Sequence, residues 1–213
     1  MKKQRAISLQ QLYKTNLKSL DFKGEWFDAI GSPEPKGVWI IWGNSGNGKT
    51  RFALQLAKYL ASFGLKVAYN SLEEGVSTSL VQATKDCGLY EVKRRFFLLD
   101  GEKMPDLINR LAKQKSPHVV IIDSLQYTRM NYATYIELKE RFRSKLFILI
   151  SHADGKHPAG RVAKSIRYDA NVKIWVEAYM AFAKSRYGGG KPYVIWEEGV
   201  EMYSSPKTFN HDE

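Results

Sequence analysis

Cysteine is all but missing from this chain: Cys87 is the single one in 213 residues. One thiol excludes an intrachain disulfide and suits a reducing compartment, so the cytoplasm is the expected location. As a small hydrophobe it is expected to pack inside. The four histidines and this cysteine show no metal-ligand spacing, and no zinc site is expected. No apolar run reaches eighteen residues, which excludes a membrane-spanning helix. The opening stretch MKKQRAISLQQLYK is basic but has neither the apolar stretch nor the small-residue cleavage site of a secretory signal. Internal repeats and low-complexity tracts are missing too.

Acidic residues are in deficit. Twenty-two Asp+Glu face thirty-three Lys+Arg, a net charge of +11. Such an excess favours polyanionic partners, nucleic acid first, because cations that neutralise phosphates release counterions. A generally basic, soluble surface is the competing explanation, and charge alone does not separate the two. Hydrophobic residues at 44% and charged residues at 26% are ordinary for a globular protein, and the length suits one sizeable α/β domain.

Apolar strand patterns fall at 38–42, 66–71, 95–99, 119–123 and 146–151. Amphipathic helical patterns at 49–63, 76–87, 104–115 and 132–143 lie between them. Strands apolar on both faces and separated by helices imply a mostly parallel central sheet covered on both sides, a three-layer α/β fold. A lead-in spans 1–36, with SLQQLYKTNL helix-like and GSPEPKG a joint; the core spans 37–203; a polar tail, expected to fray, spans 204–213. After residue 151 the pattern changes to a Gly/Lys/His-rich loop and a short helix near 161–168. Strand candidates then flank KSRYGGGKPYVIW, whose glycines read as the tip of a C-terminal antiparallel hairpin.

The strongest motif is GNSGNGKT, Gly43 to Thr50, set between an apolar strand and an amphipathic helix. It matches G-x-x-x-x-G-K-[ST] in full, the loop that holds the phosphates of a nucleoside triphosphate such as ATP. Gly43, Asn44, Ser45, Gly46, Asn47 and Gly48 would turn backbone N–H groups inward, with Arg51 opening the helix behind them. Lys49 would bring charge to the β/γ oxygens, and Thr50 would ligate Mg²⁺. The helix start adds its dipole to anion binding. Asp123 closes the apolar strand of HVVIIDSLQ, and ligands of open α/β sheets gather at the carboxyl ends of strands. It is the candidate second metal-holding group. Hydrolysis also needs a group that orients or deprotonates water, and Glu73 and Glu74 follow the strand VAYNS. Adjacent side chains point apart, so one of the two is expected to face the phosphates, Glu73 ahead of Glu74.

Taken in order, these motifs resemble the RecA-like ATPase core of DnaB-type helicases, RadA proteins, KaiC and the recombinases. SLEE is similar to the strand-end catalytic glutamate signature, and VVIIDSLQ to the magnesium strand of RadA. FILISHADGK resembles the next strand, whose terminal polar residue senses the γ-phosphate; Ser151 or His152 fills that place, with His152 preferred. AKSRYGGGKPYVI resembles the basic hairpin that reaches a neighbouring subunit's ATP site, which implies that Lys184 and Arg186 act in trans within a homo-oligomer. Two cations at i and i+2 project from one face of a strand, consistent with a phosphate clamp or with a charged, solvated edge. The likeness runs from about residue 24 to 198. The chain has one phosphate loop, unlike the doubled KaiC layout, and no evident recombinase polymerisation motif; a bare core of this kind is similar to the small RecA-core proteins of phages and mobile elements.

In that family, loops after the fourth and fifth core strands line a DNA channel. Here they carry Tyr127, Arg129, Tyr132 and Tyr135, then Lys156, His157, Arg161, Lys164 and Arg167. Cations beside aromatics suit single-stranded DNA, although Tyr132 and Tyr135 also fit core packing and Arg161, Lys164 and Arg167 a solvated helix face. The expected function is an Mg²⁺-dependent ATPase acting on single-stranded DNA in replication, recombination or repair. The alternatives are an ATP-gated DNA-binding or annealing module with little turnover, and a KaiC-like signalling ATPase that leaves DNA alone.

Overall fold

The computed structural model describes residues 6–204. Nine strands form one sheet in the order β3–β2–β4–β5–β1–β7–β8–β9, with the two-residue β6 paired to β5. Strands β1 (Gly37–Gly43), β2 (Val67–Ser71), β3 (Phe96–Asp100), β4 (Val119–Asp123) and β5 (Leu146–Asp154) are mutually parallel, and β7 (Val172–Glu177) joins β1 in the same direction. The last strands, β8 (Met180–Ser185) and β9 (Tyr193–Val194), are antiparallel additions. The mostly parallel sheet with a C-terminal antiparallel portion agrees with the sequence pattern.

Alternation along β1 shows how the layers form. Trp39 and Ile41 enter one core with α2 (Gly24–Ile30), α3 (Lys49–Ser62) and α4 (Thr78–Asp86). Val38, Ile40 and Trp42 enter the other, beneath α5 (Met104–Leu111), α6 (Tyr132–Arg141) and α7 (Arg161–Asp169). A strand buried on both faces must be apolar at every position, and β1 is fully so from Val38 to Trp42. Cys87 is free and buried in the first core.

Several local expectations shift. The lead-in helix is shorter than 8–17: α1 covers Leu9–Tyr13, closed by a Ser8–Gln11 capping box. Helix α2 has no counterpart in the sequence reading. Its Trp26 stacks on Tyr59 and Tyr193, and Leu20, Phe22, Ala29 and Ile30 pack into the same core as β1. At the other end, α8 (Glu197–Ser204) closes the expected core and reaches only the first residue of the expected tail, and residues 205–213 lie outside the described residues.

The glycines do lie in the connection of an antiparallel pair, β8 and β9, and the C-terminal portion has a second, tighter turn. It joins β7 to β8 at Ala178 and Tyr179, which both hold positive φ (48° and 57°). Without glycine such a turn is strained, and contacts compensate: the Asn47 side chain accepts from Ala178 N–H at 2.8 Å, and the Asn47 carbonyl from Tyr179 N–H at 3.3 Å. Gly188, Gly189 and Gly190 form the loop between β8 and β9, and Gly189 presses on the end of α2. A Cβ on Gly189 would lie 2.6 Å from the Ile30 backbone nitrogen. Among the described residues no helix is long and apolar enough to cross a membrane.

Candidate functional site

Parallel strands bring their carboxyl ends to one edge, and a cleft of about 600 Å³ opens there. Asn44, Ser45, Gly46, Gly48, Lys49, Thr50 and Arg51 form its floor, and Glu73, Glu74, Asp123 and His152 form one wall. Tyr179 and Trp196 form part of the opposite side. The loop climbs from β1 and ends at Gly48, whose φ of 94° starts α3. Gly48 admits no side chain, since an added Cβ would sit 2.9 Å from the Tyr179 ring. The first N–H groups of α3 lack intrahelical acceptors and face the loop, a ready anion cradle.

Two loop residues do not line the cleft. Asn47 is buried and turned away: its amide donates to the Ser45 carbonyl at 3.0 Å while its oxygen holds the β7–β8 turn. Gly43 is pressed against Val176, whose carbonyl oxygen would lie 2.2 Å from an added Cβ. Both shape the loop rather than meet a ligand.

Lys49 Nζ donates to the Asn44 carbonyl at 2.8 Å, folded back over the loop. Burial lowers its pKa, and the Asp123 and Glu73 carboxylates pull part of that back. Asp123 Oδ2 accepts from Thr50 Oγ1 at 3.3 Å and from the Tyr69 hydroxyl. Burial pushes the Asp123 carboxyl up against that Tyr69 bond, which favours the ionised form. Tyr69, wholly buried on β2, escaped the sequence reading because an aromatic in an apolar strand looks like core. The oxygens of Thr50 and Asp123 form a hard donor pair beside the phosphate loop. They fit magnesium, which keeps several waters and takes few protein ligands.

Both glutamates line the cleft, and they differ in partners. Glu73 Oε2 accepts from Ser124 Oγ at 3.0 Å and lies 2.9 Å from His152 Nε2. Burial opposes its ionisation, but the bonds from His152 and Ser124 and the charges of His152 and Lys49 outweigh this and lower its pKa. Glu74 instead accepts from the Ser77 and Ser79 hydroxyls at the start of α4. On β5, Ser151 is buried against Gln126, whereas His152 faces the cleft.

Arg51 lies over the Trp196 ring at 5.1 Å, and Tyr179 meets that ring edge-on at 5.1 Å between centroids. Arg51 Nε is buried with no hydrogen-bond partner among the described residues. Tyr179 and Trp196 were not singled out from sequence; their distance from the loop in the chain gave no signal.

Lys184 and Arg186 are exposed and far from this cleft. Lys184 pairs with Lys173, and Arg186 N–H donates to the Asn171 carbonyl, level with Val38 at the opposite edge of the sheet. Five residues of strand, about 16 Å, separate the Arg186 level from Gly43, and three, about 10 Å, separate Lys184, which is level with Ile40; neither cation lines its own chain's cleft. The loop candidates divide. Arg129, Lys156 and Arg161 are exposed, and exposed Tyr127 lies edge-on to His152 with centroids 6.3 Å apart. Lys164 is paired with Asp154 at 2.9 Å. Arg167 is spent on Trp42 and His157, and Tyr135 is buried and bonded to Asp169, so neither is open to a nucleic acid.

The architecture is a RecA-like P-loop core. Similar solved structures include the flagellar accessory protein FlaH from Methanocaldococcus jannaschii, with a TM-score of 0.62 and 15% identity over 83% of this chain and 92% of that one. Another is the KaiC-like protein PH0186 from Pyrococcus horikoshii OT3, with a TM-score of 0.61 and 20% identity over 84% of this chain and 94% of that one. At these identities the likeness is one of fold. No family model and no curated protein matches the chain.

Proposed function

We propose that the protein binds ATP with magnesium in this cleft and hydrolyses it, as a cytoplasmic homo-oligomer acting on single-stranded DNA in replication, recombination or repair. One observation carries the reading: Lys49, Thr50, Asp123 and the Glu73 carboxylate open into the same cleft above the start of α3. Backbone N–H groups and Lys49 hold the phosphates; Thr50 and Asp123 would hold the magnesium, whose charge offsets that of the phosphates. Glu73, kept ionised, accepts a proton from the attacking water and orients it. Arg51, Tyr179 and Trp196 offer a partly aromatic, partly cationic wall to the base.

Lys184 and Arg186 serve a neighbouring copy's cleft, which makes assembly part of the chemistry. Exposed Arg129, Lys156 and Arg161, with Tyr127 beside His152, would meet the strand, and His152 would link strand to phosphate by changing hydrogen-bond partners.

A second reading, a nucleotide-gated annealing module with little turnover, draws on Glu73 being held by both His152 and Ser124. ATP hydrolysis measured with and without single-stranded DNA separates them. The proposal expects the strand to raise turnover at least about tenfold, as release of a general base allows. Equal, low rates would favour the module.

A further inference from the structure

The edge of the sheet away from the cleft carries a row of basic side chains. Across the order β3–β2–β4–β5–β1, each parallel strand is immediately preceded by a basic residue: Arg95, Lys66, His118, Lys145 and Lys36. Backbone bonds keep the row in line. Val67 N–H donates to the Arg95 carbonyl (2.7 Å), His118 N–H to Lys66 (2.9 Å), Leu146 N–H to His118 (3.0 Å) and Gly37 N–H to Lys145 (3.0 Å). With strands about 4.8 Å apart, the five positions span about 19 Å.

Carboxylates do not neutralise most of this row. Lys36 has Glu34 at 3.6 Å. Lys66 Nζ reaches only the Lys115 carbonyl (3.4 Å), Arg95 the Gly64 carbonyl (2.5 Å), and Lys145 the Ser116 hydroxyl and Pro117 carbonyl (2.8 and 2.6 Å). Among the described residues no carboxylate lies within ion-pairing distance of Lys66, Arg95 or Lys145. These bonds tie the row to the loops that follow α3 and α5, and they leave whole charges uncompensated. Burial and then the charges of Lys145, Lys66 and Arg95 lower the pKa of His118, so three cations converge on one imidazole.

We propose that this edge is a polyanion-binding surface, separate from the cleft, that takes the phosphodiester backbone of single-stranded nucleic acid. Aromatic side chains at the β3 end favour a single strand over other polyanions. Tyr90 is 77% exposed with Lys93 Nζ 3.9 Å above its ring, and Phe97 is 43% exposed on the unpaired edge strand. Phosphates meet the row while unstacked bases meet the rings. The surface depends on neither nucleotide binding nor the loops at the opposite edge.

The test is binding of a labelled oligothymidylate to the full chain, without nucleotide, across a salt series. In a Lys66→Gln/Arg95→Gln/Lys145→Gln variant, affinity falls at least about tenfold, and the slope of log K against log salt becomes shallower by about 2, as the loss of three single-strand phosphate contacts requires. A Lys156→Gln/Arg161→Gln variant, altered at the cleft edge, retains that component. Unchanged affinity and slope in a triple variant with a wild-type circular dichroism spectrum overturn the proposal and leave anchoring of the loops after α3 and α5 as the row's role. Should the triple variant not fold, acetylation footprinting of the wild-type chain decides: Lys66 and Lys145 are protected by the oligonucleotide, and undiminished labelling overturns the proposal. Equal affinity for polyglutamate overturns the assignment to nucleic acid.

Discussion

Glu73 and Glu74 are neighbours in the chain with different surroundings, and the general-base role proposed for Glu73 draws on that difference. Glu73 meets His152 and Ser124 at the mouth of the phosphate loop, while Glu74 is tied to two serines that open α4. Replacing Glu73 by Gln is expected to lower ATP turnover about 100-fold or more, the ordinary weight of a positioned general base. Nucleotide affinity should stay within about threefold of wild type, since no binding charge is removed from the loop. Glu74→Gln should leave turnover within about threefold, because a surface acid contributes little. Steady-state kinetics with both variants checks this, and a reversed order would exchange the roles. Because the folded chain lowers the Glu73 pKa, the carboxylate is ionised throughout the neutral range. Its share of activity is lost only on acidification through that lowered value.

At the scale of elements, α6 and α7 are joined by one polar cluster. Asp169 accepts from Lys139 at 2.6 and 2.8 Å and from the buried Tyr135 hydroxyl. Burial opposes Asp169's ionisation, but those two bonds and the Lys139 charge outweigh it and lower its pKa. A lowered carboxyl contributes stability that is complete above the ordinary carboxylate range and is lost as pH falls through the folded value. Tyr135→Phe should cost about 1.5–3 kcal/mol in denaturant unfolding at neutral pH, the loss of a hydrogen bond to a charged acceptor. An Asp169→Asn variant should show a weaker acid dependence of stability than wild type; an unchanged dependence would remove this cluster from the account.

Elements differ in how legible they are. Strand β1, its loop and α3 read directly, because five apolar residues, a glycine-spaced loop and a long amphipathic run each carry their own signal. Helix α2 does not: seven residues give too few turns for a period, and its stability comes from Trp26 packing on Tyr59 and Tyr193, far away in sequence. The β7–β8 turn was hidden for a related reason. Ala178 and Tyr179 reach positive φ through bonds to Asn47, so the local residues do not advertise it. The site divides along the same line, since Lys49, Thr50, Asp123 and Glu73 sit in motifs whereas Tyr69, Tyr179 and Trp196 are recruited by the fold.

For the whole molecule, the sheet itself sets the geometry of any assembly. One edge holds the cleft, and the other carries Arg186 at the level of Val38. A head-to-tail contact puts the β8 flank of one copy, where Arg186 lies beside the start of β7, against the cleft of the next and leaves the row before β3, β2, β4 and β5 open, the heterologous arrangement that closes rings or extends filaments. Arg186→Ala and Glu73→Gln should each be inactive alone. Mixed in equal amounts, roughly a quarter of such interfaces combine an intact Glu73 with an intact Arg186, so activity should return to about that fraction of wild type. No recovery on mixing would contradict a shared site.

All of this rests on a triphosphate being held by the loop at the head of α3. Equilibrium binding of a labelled ATP analogue with magnesium, wild type against Lys49→Ala, measures that most directly. The account predicts saturable binding by the wild type and a loss of about 30-fold or more in the variant, roughly the 2 kcal/mol of a charged hydrogen bond to phosphate. Equal affinity in a variant that keeps its fold would contradict it.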